Sequence, residues 1–133
     1  DRRRLESAVE RLVASPLFAR LRALRPAVLA RELPLLAEAS GSTPAMAAMA
    51  ATALDGIVGT LDLLYRDPAT GEVVVADFKS DDIASGASPA GIAARYRPQL
   101  ELYRRAVQCA MALDRPPRLE LWLLAVDAIE VLA

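Results

Sequence analysis

Two aspartates and a lysine stand where the hydrophobic pattern of the chain points inward: Asp62 in "GTLDLLY", and Asp77 and Lys79 in "VVVADFKS". Side chains alternate across a strand, so Asp77 and Lys79 share one face and Phe78 takes the other. The intervening "DPATG" is turn chemistry, and pairing the two runs around it brings Asp62 beside Asp77 on that face. A carboxylate on a buried strand is costly unless it is paired, hydrogen-bonded or bound to metal. Two converging carboxylates repel, which raises the pKa of one. A bound Mg²⁺ would relieve the conflict, because hard cations take oxygen ligands. Lys79 would then stand ready to orient a nucleophile or to stabilise developing negative charge. The competing reading is a plain Asp77–Lys79 salt bridge with Asp62 capping a turn, and a D-x-K triplet alone favours it.

The elements that must position these residues follow from periodicity and turn signals. Residues 2–14, "RRRLESAVERLVA", put Leu5, Val9, Leu12 and Val13 on one helical face. Ser15 before Pro16 predicts an N-cap and a second helix to about Leu24. "PAVLARELPLLAEA" reads as a strand that Pro34 confines to an edge or a bulge. "SGSTPAMAAMAATA", residues 40–53, carries loop and helix signals together. "LDGIVGTLDLLYR" and "EVVVADFKS" read as strands, with Gly56 and Gly59 marking a bulge or a close backbone approach. The linker "DDIASGASPAG" leads to a helix expected from near Pro98, with Leu100, Tyr103, Val107 and Met111 at helical spacing and Pro116–Pro117 as its stop. "RLELWLLAV" gives a further strand and "DAIEVLA" its hairpin partner. This order, ααβββαβ(β) without internal repeat, predicts an α/β (α+β) domain with a mixed sheet flanked by helices.

At 133 residues the chain fits one domain, residues 1–133, and 54% apolar with 25% charged residues is a globular composition. A net charge of −1 argues against binding nucleic acid through a general basic excess and leaves only a local patch. Cys109, the single cysteine, cannot form an internal disulfide and reads as a small core residue in "AVQCAMAL". This usage fits a reducing compartment. No signal peptide or long apolar run is present, so a cytoplasmic protein without a membrane partner is expected. The start at Asp1 suggests an excised domain or an incompletely ordered chain, and the sequence holds no histidine.

Taken in order, "GTLDLLYRDPATGEVVVADFKSD" and "YRPQLELYRRAV" resemble the C-terminal nuclease domain of RecB and AddA helicase–nucleases, of the PD-(D/E)xK superfamily. The match comprises Asp62; Asp77, Phe78, Lys79 and Ser80; and Tyr96, Gln99, Leu100 and Tyr103. "RELP" around Glu32 resembles an element upstream of the family's catalytic strands. The resemblance spans about residues 16–132 and implies a restriction-endonuclease-like core with a mixed sheet of about four to five strands. It implies Asp62, Asp77 and the backbone carbonyl of Phe78 as metal ligands, with Lys79 positioning the attacking water. Gln99 and Tyr103 would line the cleft, and Glu32 and Tyr96 would support it. The family also uses a histidine on its first helix as a ligand, and no position here supplies it.

The expected function is that of a Mg²⁺-dependent DNA exonuclease, Mn²⁺ substituting, in double-strand break repair and recombination. Its expected partners are DNA, a superfamily 1 helicase motor in the same polypeptide and a second helicase–nuclease subunit. Arg95, Arg97 and Arg104 are the candidates for phosphate contacts. With no histidine, the isolated chain is expected to cleave poorly in Mg²⁺ and better in Mn²⁺. A catalytically inactive nuclease-fold scaffold or DNA-binding module is the alternative. A stand-alone nuclease of the superfamily is a third reading, though one cysteine excludes the iron–sulfur type.

Overall fold

Ser15 caps a helix as its place before Pro16 predicts: its hydroxyl accepts the Phe18 N–H at 3.2 Å and helix α2 runs Pro16–Leu24. Before it lies α1 (Arg2–Val13), and after it a 3₁₀ turn, Arg25–Ala27, leads into strand β1 (Val28–Leu36). The remaining elements are β2 (Ile57–Arg66), β3 (Val73–Lys79), α3 (Pro89–Ala110), β4 (Arg118–Leu123) and β5 (Ala128–Leu132). The computed structural model describes residues 1–36, 57–80 and 88–133. The ambiguous stretch 40–53, the expected strand starts at Leu54–Gly56 and most of the linker lie outside them.

The five strands form one mixed sheet in the order β1-β2-β3-β4-β5. All neighbours are antiparallel except β3 and β4, which run parallel and are joined through α3. A parallel pair needs such a crossover, whereas the "DPATG" turn closes β2 on β3 directly. There the Asp67 carboxylate accepts the Ala69 N–H at 2.8 Å, and Gly71 takes a φ of 76°. β1 is an edge strand, as a proline without a donor requires, with register shifts between Val28 and Ala30 and between Leu35 and Leu36. At the other edge lies β5, short and regular, with Val131 exposed.

β3 and β4 are buried on both faces, which explains their near-continuous apolar sequences. Leu61, Leu64, Val75, Leu119 and Leu121 pack under Leu100, Tyr103 and Val107 of α3. Leu63, Tyr65, Val74, Ala76 and Trp122 pack on the opposite face against Leu17 and Leu24 of α2. Leu61 and Leu63 therefore face opposite sides, so the alternation of β2 slips once between them. Its neighbour β1 shows a matching irregularity, a φ of 48° at Glu32, between Arg31 (paired with Leu63) and Leu33 (paired with Leu61).

Three expectations are corrected here. α3 begins at Pro89, nine residues before Pro98, with the Ser88 hydroxyl accepting the Gly91 N–H at 3.0 Å. Pro98 lies inside the helix, where proline costs about 3 kcal/mol. The Ser88 cap (~1 kcal/mol) and burial of Ile92 (~2 kcal/mol) upstream offset that cost. α3 ends at Ala110, before Pro116–Pro117, because Ala112 turns to a φ of 50° and the Leu113 N–H bonds back to Gln108 O at 3.0 Å. Met111 and Cys109 consequently sit at the frayed surface end of the helix, and Cys109 is exposed instead of being a core residue. The apolar face expected on α1 exists but is uncovered: Leu5, Val9, Leu12 and Val13 are all exposed. No helix among the described residues is long and apolar enough to cross a membrane.

Candidate active site

The pairing of β2 with β3 runs from Arg66–Val73 to Leu63–Ala76 and stops one residue short of Asp62 and Asp77. At that point the Asp62 carboxylate takes the place of a backbone partner, accepting the Phe78 N–H at 2.7 Å. The slip in β2 and the end of the ladder coincide, so the strands part where the acidic side chains stand. Asp77 follows Val75 on the α3 face, is 4% exposed and lies within hydrogen-bonding reach of Asp62. Lys79, two residues on, places Nζ 3.0 Å from Asp77 Oδ2.

The ion pair of the plain reading is thus present, but it does not settle the electrostatics. A salt bridge alone would hold an aspartate below its ordinary range. Asp77 is instead pushed up to about 6, because burial and the neighbouring Asp62 outweigh the ammonium. Buried Asp77 Oδ2 has the Lys79 ammonium 3.0 Å away and no other polar partner among the described residues. Burial works to lower the Lys79 ammonium, yet the Asp77 carboxylate wins and raises it. Lys79 remains a cation and a donor at neutral pH.

α3 roofs this cluster. The Lys79 ammonium lies 4.3 Å from the centre of the Tyr96 ring, and the Arg95 guanidinium lies 5.2 Å from the same ring. One turn on, the Gln99 amide donates to the Tyr103 hydroxyl at 2.8 Å. Burial and the field of Asp77 raise the pKa of the Tyr103 phenol, which places it at the same site. Gly59 makes room for it: a Cβ there would lie 2.9 Å from ring carbon Cε1 of Tyr103 and closer still to the hydroxyl. The close approach expected at Gly59 is therefore to a side chain of α3.

The other expected residues are placed differently. Glu32 is exposed on β1, level with Asp62, and among the described residues no group of three acidic, histidine or cysteine side chains gathers to hold a metal. Arg97 and Arg104 have partners other than the Lys79 cluster. Arg104 grips Glu101 through Nε at 3.1 Å and Nη2 at 2.6 Å, and Arg97 donates to Ala133 O at 2.8 Å on the flank facing β5. Of the three expected phosphate contacts, only Arg95 stands beside Tyr96 and Lys79.

Residues 1–131 match the model of the PD-(D/E)XK nuclease superfamily. The chain belongs to this superfamily. No curated protein matches it. The five-stranded mixed sheet flanked by helices is the α+β, restriction-endonuclease-like fold of PD-(D/E)XK nucleases. Sequence reasoning missed one buried cluster on the far face of this PD-(D/E)XK sheet. Glu120, 2% exposed, accepts the Tyr65 hydroxyl at 2.5 Å, the Trp122 indole N–H at 3.2 Å and Arg118 Nη2 at 3.2 Å. Its signal was the lone acid in "LELWLL".

Proposed function

We propose that this chain is a divalent-metal-dependent deoxyribonuclease domain of the RecB/AddA helicase–nuclease type, an exonuclease in double-strand break repair and recombination. The observation that carries the reading is the convergence of Asp62, Asp77 and Lys79 where β2 leaves β3. A hard cation fits the donor set: two carboxylates at hydrogen-bonding reach, one with a buried oxygen whose sole polar neighbour among the described residues is the Lys79 ammonium. Asp62, Asp77 and the Phe78 carbonyl would hold Mg²⁺, or Mn²⁺ in its place, with water and phosphate oxygens completing the shell. Such an ion supplies Lewis-acid stabilisation of charge on phosphate and acidifies water.

The chain's own residues then divide the work. Lys79, kept cationic, donates to the attacking water or the phosphate oxygen and cannot be the base that takes the water's proton. Tyr96 holds the Lys79 ammonium against α3, while Gln99 and Tyr103 close the cleft behind it. Phosphorus gains a bond to the water oxygen, whose proton passes to solvent, and loses the one to the leaving sugar oxygen, which takes a proton from solvent. What supports the helicase–nuclease type is the ordered "GTLDLLY", "ADFKS" and "YRPQLELY" runs, all meeting at one site. A net charge of −1 suits a domain that relies on a superfamily 1 motor in the same polypeptide, and a second subunit, for most of its DNA affinity.

The test is cleavage of linear DNA in Mg²⁺ and in Mn²⁺ by the chain and by Asp77→Ala and Lys79→Ala, with cation binding followed by calorimetry. Asp77→Ala loses both cleavage and cation binding; Lys79→Ala loses cleavage by about 10²-fold or more and keeps cation binding. A scaffold or DNA-binding module is the second reading, favoured by the lack of a third acidic or histidine ligand among the described residues. No cation binding and no cleavage in either metal would count against the nuclease reading and for this one.

A further inference from the structure

A groove of about 670 Å³ opens between α1 and the β4–β5 turn, with Arg11 and Leu12 on one wall and Leu124 and Asp127 on the other. Ser80, the residue that directly follows Lys79, also lines it. The Leu124 N–H donates to Lys79 O at 2.9 Å, so groove and cleft meet over the carboxyl ends of the parallel strands β3 and β4. Open α/β sheets hold their ligands at that end.

We propose that this groove carries the single strand of nucleic acid that leads to or from the cleft, its phosphates held by Arg11 and Arg4. The proposal rests on the nuclease reading and extends it to a binding track borne by α1. Arg11, which lines the groove, makes no ion pair among the described residues; Arg4 lies beyond the lining, on the same row of α1, and its ion-pair partner is the exposed Asp1 at 3.9 Å. The two guanidinium groups stem from positions two turns apart, about 10 Å along the helix. Asp127, the one acid lining the groove, is engaged elsewhere: its Oδ1 accepts the Leu17 N–H at 3.2 Å and caps α2. The volume lies within the range of about 300–1,000 Å³ usual for ligand sites. A protein occupant would account for the apolar wall but not for an unpaired guanidinium beside the carboxyl end of β3.

Binding of a fluorescein-labelled oligothymidylate of about 12 nucleotides, followed by anisotropy in EDTA over a range of KCl, tests this apart from chemistry. The Arg4→Gln/Arg11→Gln double variant should bind about ten-fold more weakly at low salt. Its slope of log K against log salt should be shallower by about 1.4, two phosphates' worth. Arg22→Gln/Arg25→Gln, an equal loss of exposed charge on and just after α2, should leave both within about two-fold of the unsubstituted chain. Unchanged binding in the first variant, an equal loss in the second, or no binding by the unsubstituted chain overturns the groove. So does self-association through α1 in sedimentation with strand binding unaffected by the substitutions. Cleavage in Mn²⁺ is read separately. Cleavage with groove-independent binding leaves the nuclease reading standing, and groove-dependent binding without cleavage overturns that reading alone.

Discussion

Asp77 sits in an environment that penalises its charge, and this has a consequence for stability opposite in sign to the usual acid. Its folded-state pKa stands near 6, above the ordinary 3.8. The fold therefore favours the protonated form, and the contribution of this group to the stability of the metal-free protein is lost as pH rises from about 4 to about 6. Asp77→Asn should stabilise the metal-free protein at pH 7 by on the order of 1–3 kcal/mol, a gain that vanishes near pH 4. Denaturant melts at the two pH values in EDTA check it. Added Mg²⁺ should raise the stability of the unsubstituted chain and leave Asp77→Asn unmoved. Gly59 makes a second residue-scale case. Gly59→Ala drives a methyl into Tyr103 and should cost about 1–3 kcal/mol, partly restored by Tyr103→Phe, which removes the nearest atom. Thermal melts of the three variants decide this. The convergence of Asp62 and Asp77 was legible from strand alternation and one turn. The role of Gly59 was legible only as a close approach, because its partner lies 44 residues away on another element.

At the scale of elements, the legible parts were those whose signals are local. The Ser15–Pro16 cap, the "DPATG" turn and the confinement of Pro34 to an edge each depend on a few adjacent residues. The start of α3 was misread because Pro98 is a strong local signal for a first turn, and here tertiary burial on both sides of it prevails. Pro98→Ala should consequently raise stability, by about 1–2 kcal/mol once the lost rigidity of the unfolded chain is subtracted. Chemical denaturation measures it. The slip in β2 at Asp62 was hidden because both faces of that strand are apolar, so no pattern marks which side a leucine takes. Glu120, on β4, bonds Tyr65 of β2 across β3 and Arg118 two residues before it on its own strand. Arg118 in turn grips Asp67 at 2.6 Å and Glu72 at 2.8 Å around the hairpin turn. Glu120→Gln should destabilise by about 2–4 kcal/mol, since it leaves buried donors facing a neutral amide.

For the whole molecule, composition and element order indicated one mixed sheet with helices on its faces, and they could not show how its two edges differ. The β1 edge is broken by Pro34, by register shifts and by the left-handed turn at Glu32. The β5 edge has none of these devices among the described residues and exposes Val131. Growth of the sheet by addition of further strands is thus blocked at one end and open at the other. In a concentrated preparation this makes the domain a one-ended seed: clumping should begin at β5, and shelf life should depend on that strand more than on the melting point. Val131→Lys should slow the rise of light scattering on storage while leaving the thermal midpoint nearly unchanged, and a charge placed on β1 should do neither.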